Sequence, residues 1–150
     1  MQHKIFRVIF CAASLGYASM SGAHSGGATL DPTGTVQSFT GFALVTCFDD
    51  GNGKADNLIA RIKDSSSPYP NLLVNLQVIS PRRDRAISIT DTVSGDAEPS
   101  PYVTLRGGEG AYLMLVNKTD VGARLFEVEY HCMTVNGAHT GTEITVRQFD

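Results

Sequence analysis

The chain has 150 residues, a formal net charge of −3 and three cysteines. That length supports one domain with a substantial core but not two, and the mild acidity excludes the clustered basic surface through which nucleic acid is usually bound. No apolar run reaches the roughly 20 residues that a transmembrane helix needs.

Residues 1–23 have the three-part pattern of a cleavable signal peptide. Lys4 and Arg7 form a positive start, residues 8–18 an apolar stretch, and Ser21-Gly22-Ala23 the small residues a signal peptidase needs. Ala18 offers a second cut point. A buried soluble helix is the alternative reading, but it would show polar positions at helical spacing. Cys11 follows the bulky Val8-Ile9-Phe10, which does not suit a lipidated cysteine. Removing the segment makes the remainder more acidic and leaves Cys47 and Cys132. Two cysteines in an exported protein most simply pair.

Residues 24–34 (HSGGATLDPTG) are Gly-rich and without hydrophobic period, so they are expected as a flexible lead-in. Residues 35–150 are expected as one β-sandwich domain. The clearest strand is 72–79, in which Leu72, Val74, Leu76 and Val78 share an apolar face. Residues 42–48 and 58–63 form a candidate pair joined by a turn containing Asn52-Gly53, a strong hairpin signal. Further strands fit 86–90, 102–105, 111–117, 124–132 and 142–149. The basic cluster Arg82-Arg83-Asp84-Arg85 after Pro81 reads as a solvated turn. About eight short antiparallel strands with regular turns predict an all-β, single sandwich. Phe126, Val128, Tyr130 and Cys132 share one strand face, and Cys47 lies with Ala43 and Val45. Both cysteines are therefore expected inward, in one bridge through the core.

The order of strands 72–79, 86–91 and 102–105, followed by Gly110-Ala111-Tyr112 opening an apolar strand and then 124–130, resembles bacterial pre-peptidase C-terminal domains. The likeness covers roughly half the chain and rests on a Gly-x-Tyr strand. It implies a secreted sandwich with an accessory or binding role and not catalysis.

Two candidate sites carry chemistry. Asp49, Asp50, Asn52 and Asp56 crowd oxygen donors onto a Gly-rich turn, which suits Ca²⁺. The register departs from a calcium loop, because Phe48 falls at the first ligand position and the terminal Glu is missing. An ordinary turn is the competing reading. The second candidate is His24, His131 and His139. After a cut at Ala23, the amino group and imidazole of His24 would together chelate Cu²⁺ in the manner of histidine-brace proteins, with a further histidine completing the site. The competing reading leaves His24 in a loose tail and His131, beside Glu129, on a solvent face.

Neither a Gly-x-Ser-x-Gly elbow nor a His-Glu-x-x-His helix is present. Gly107-Gly108-Glu109-Gly110 leads into a strand, where no helix N-terminus helps to hold an anion. Glu127 and Glu129 stand two apart on one strand, as solvated strands commonly show. The sequence thus predicts a periplasmic or secreted, non-enzymatic binding or structural protein. Its expected partner is another exported protein or an envelope component. It requires no cofactor, and the alternative is a metal-binding protein, calcium before copper.

Overall fold

The computed structural model describes residues 24–148, so the signal-peptide reading and Phe149 lie outside the described residues. Nine strands and no helix make up the described chain. They are β1 (His24–Leu30), β2 (Thr40–Phe48), β3 (Ala55–Asp64), β4 (Val74–Ile79), β5 (Ala86–Thr90), β6 (Val103–Arg106), β7 (Gly110–Lys118), β8 (Arg124–Thr134) and β9 (Gly141–Gln148). Two antiparallel sheets form, one ordered β1-β8-β3-β6 and the other β5-β4-β7-β2-β9. Period-two apolar residues supply both inner faces: Leu58, Ala60, Ile62, Phe126, Val128 and Tyr130 from the first sheet, Val45, Val74, Leu76, Val78, Tyr112 and Met114 from the second.

Cys47 of β2 and Cys132 of β8 are disulfide-bonded, with Cα atoms 5.5 Å apart. The bridge joins the two sheets across the core, as the strand phases require. Arg82 to Arg85 lie in the tight β4–β5 connection, where Arg83 takes positive φ and donates its N–H to the Ser80 carbonyl.

Two features depart from the sequence-based expectation. Residues 42–48 and 58–63 do not pair as a hairpin. β2 and β3 belong to opposite sheets, and the Asp49–Lys54 segment is a corner between them. Turn chemistry reverses the chain locally but does not decide which sheet the next strand joins.

Residues 24–30 are the second departure. They are not a loose lead-in but an edge strand paired to β8 along its full length, from His24 opposite Tyr130 to Leu30 opposite Arg124. Glycine is suited to this edge, because a Cβ at Gly27 would lie 2.5 Å from the Phe126 carbonyl oxygen. Backbone hydrogen bonds hold the strand, so it needs no side-chain period to form.

Leu30 is fully buried, and the next residue locks the end of β1. The Asp31 carboxylate accepts hydrogen bonds from the Thr35 and Val36 backbone N–H groups and lies 3.1 Å from the Lys118 ammonium at the end of β7. Lys118 also donates to the Val36 and Asp120 carbonyls. Burial pushes the Asp31 carboxyl up, but the hydrogen bonds from Val36, Lys118, Thr35 and Thr33 outweigh it and hold it well below the usual carboxylate range. A folded-state pKa below the unfolded one contributes stability that is complete above the ordinary carboxylate pKa and is lost as pH falls toward the depressed value. Asp31→Asn should therefore melt below the parent at neutral pH, with the gap closing as pH drops below about 4. Melting curves of both proteins from pH 7 to pH 2 measure this, and a gap independent of pH would refute the assignment.

Candidate metal centre

The strand ladder that makes β1 also delivers His24. Its backbone lies opposite Tyr130, one residue before His131 on the neighbouring strand. His131 occupies the outer side of β8 near the strand's end and is 9% exposed, so it is buried and not on the solvent face expected from its neighbour Glu129. His139 comes from the β8–β9 connection. Thr134 and Gly137 close a tight turn there, and an isolated bridge pairs Met133 with His139, folding this loop back beside β8.

The three rings meet at one end of the sandwich. His24 and His139 stack at 5.4 Å between centroids with an interplanar angle of 12°. His131 stands edge-on to His139 at 4.7 Å and to His24 at 6.1 Å. Nδ1 of His131 and Nε2 of His139 share a hydrogen bond of 2.6 Å, whose proton an entering metal ion would displace. One nitrogen from each ring lies within 4.8 Å of the other two, and among the described residues this is the only such grouping of three or more histidine, cysteine or acidic side chains. Nδ1 of His24 is buried without a hydrogen-bond partner. Buried polar atoms are rarely left so, and an orphan among imidazoles points to a missing partner.

The surroundings of His131 and His139 favour their neutral forms. Burial, then the neighbouring His139 and His24, push His131 below the ordinary histidine value, partly opposed by Glu129. Burial and His24 do the same to His139, opposed by Asp50. Neutral imidazoles carry the lone pairs that a metal takes. The centre can accept a divalent ion after small shifts, since nitrogen–metal bonds are about 2.0–2.1 Å long.

Rigid surroundings hold the donors in place. His131 directly precedes the bridged Cys132, whose N–H donates to the Thr142 hydroxyl. Beside His139, the buried Thr140 hydroxyl lies 2.7 Å from the Gly53 carbonyl and 3.1 Å from that of Phe48. On the other flank, Arg61 makes a bidentate ion pair with Glu129, and the Tyr102 hydroxyl donates to the same carboxylate at 2.6 Å. Lys63 pairs with Glu127. Both glutamates are thus engaged with cations.

The acidic turn is organised differently. Oδ1 of Asp49 accepts the Gly51 and Gly53 N–H groups, and Oδ1 of Asp50 accepts the N–H of Asn52. Asp56 pairs with Arg106 at 2.6 Å. The turn caps its own backbone, while Asp56 is drawn toward β6. The structure gathers His24, His131 and His139, but Asp49, Asp50 and Asp56 form no comparable group with one another.

Fold and site together define a disulfide-closed antiparallel β-sandwich carrying a tri-histidine cluster at one end. Comparison with protein-family models, with curated proteins and with solved structures finds no match to this chain.

Proposed function

We propose that this domain is an exported metal-binding protein whose ion is Cu²⁺, held by the imidazoles of His24, His131 and His139. The observation that carries the reading is the convergence of three imidazoles from three separate segments, with Nδ1 of His24 buried and unpartnered. Imidazole is a preferred donor for copper, and Cu²⁺ heads the affinity order of divalent first-row metals for nitrogen sites. The disulfide suits an oxidising compartment, where copper is handled outside the reducing cytosol. A role in holding the ion, without catalysis, agrees with the accessory role expected from the sequence.

Calcium is the weaker reading. Ca²⁺ takes six to eight oxygens, and the carboxylates of the acidic turn already serve its N–H groups and Arg106. Thermal melts of the metal-free protein with EDTA, Ca²⁺, Zn²⁺ and Cu²⁺ separate these ions. Cu²⁺ at 100 times its dissociation constant should add about 2.7 kcal/mol of stability, with Zn²⁺ giving less and Ca²⁺ nothing. Nitrogen hyperfine structure in the electron paramagnetic resonance spectrum of the Cu²⁺ form should report imidazole donors. Unchanged melts with Cu²⁺ would sink the proposal.

A further inference from the structure

We propose that the α-amino group of His24, released by cleavage after Ala23, is a fourth nitrogen ligand, so that export processing switches tight copper binding on. The inference rests on the copper reading above. The β1–β8 ladder pairs His24 with Tyr130, the residue before His131, and the His24 ring stacks on His139, so the residue that supplies the new amino group already has its side chain in the cluster. The orphaned ring atom is Nδ1, the nitrogen adjacent to the Cγ attachment. A metal joining Nδ1 to the amino nitrogen of the same residue closes a six-membered ring through Cα, Cβ and Cγ. Nε2, on the far side of the imidazole, cannot close that ring. The buried, unpartnered atom is thus the one such a chelate uses.

The chemistry at the main-chain nitrogen depends on whether Ala23 is still attached. In the unprocessed chain this nitrogen belongs to a peptide bond, and its lone pair is delocalised into the carbonyl. It is then a poor donor at neutral pH, and the ion has three imidazoles at most. Hydrolysis of the Ala23–His24 bond converts the amide into an amine with an ordinary pKa of about 7.7–8.0. The ammonium releases one proton to solvent as the nitrogen takes up the metal, with no change of oxidation state. Ser21-Gly22-Ala23 places small residues where the cleavage has to occur. Chelation by one residue also avoids most of the entropy cost of recruiting a separate ligand. A precursor in the cytosol would then hold copper weakly, and the exported product tightly.

The test compares the protein as processed on export with the same chain carrying Gly-Ser-Gly-Ser-Gly ahead of His24, which moves the free amine beyond chelating reach. Cu²⁺ is titrated into each against a competing chelator, and metal-free melts establish that both are folded. The extended chain should bind at least about 100-fold more weakly, and its hyperfine pattern should fall from four nitrogens to three. Mature protein carrying His24→Ala, which keeps the amine but loses Nδ1, should be weakened to a similar degree. Equal affinity and equal nitrogen count in the processed and extended chains would overturn the inference while leaving the three-imidazole site intact. Failure of every form to bind Cu²⁺ would overturn the copper reading itself. Mass analysis showing that the exported protein begins at a residue other than His24 would overturn the processing switch.

Discussion

Cys47→Ser should lower the melting temperature under oxidising conditions by roughly 12–25 °C. The bridge spans 85 residues of sequence, and the chain-entropy model assigns about 4–5 kcal/mol to a loop of that length. For a domain of this size each kcal/mol moves the midpoint by roughly 3–5 °C. The position adds to the length. Cys47 and Cys132 are both essentially buried and belong to different sheets, so the bridge restrains the packing of one sheet on the other. Reduction of the parent protein should reproduce the loss, and the variant should be indifferent to reductant. A variant that melts with the parent under oxidising conditions would show that the bridge contributes nothing. Because Cys132 follows His131 directly, the variant should also hold copper less tightly.

His131→Ala should abolish the stabilisation that Cu²⁺ provides and weaken its binding at least about 100-fold. Groups that only orient a metal ligand are worth 10- to 100-fold, so removing a direct donor should cost no less. The same substitution opens a small void at a buried position, which by itself should cost about 1 kcal/mol. His139→Gln separates the two effects. That residue is half-buried in a connecting loop and glutamine keeps a hydrogen-bonding end for His131, so the change should cost the metal-free protein no more than about 1 kcal/mol while removing most of the copper response. Competition titrations and melts with and without Cu²⁺ read both variants. Unaltered affinity in both would remove these histidines from the site.

Much of the architecture was legible in side-chain period. β4 and β8 largely alternate apolar and polar residues, as a strand with one buried face tends to do. The same phase put Cys132 inward with Tyr130 and Val128, which made the inter-sheet bridge foreseeable. Period fails for β1, because Ser25-Gly26-Gly27-Ala28 has almost no side chains with which to announce a face. The expected hairpin between β2 and β3 failed for another reason. Asp49 to Gly53 form a real turn, but the two strands it joins pair with different partners.

The histidines show the same division. Composition limited a transition-metal site to the few histidines and nominated His24, His131 and His139, but alternation along β8 put His131 on the solvent face with Glu129. It could not register that His24 and His139 cover that position, since burial comes from neighbours distant in sequence. The sequence by itself determined the strand periodicity, the inward cysteines and the supply of donor residues, all of which are local or compositional properties. Only the tertiary structure decided that the Gly-rich start is a strand, that β2 and β3 part company, and that three remote imidazoles converge. Each of those outcomes depends on backbone pairing and long-range packing, and neither leaves a period in the chain.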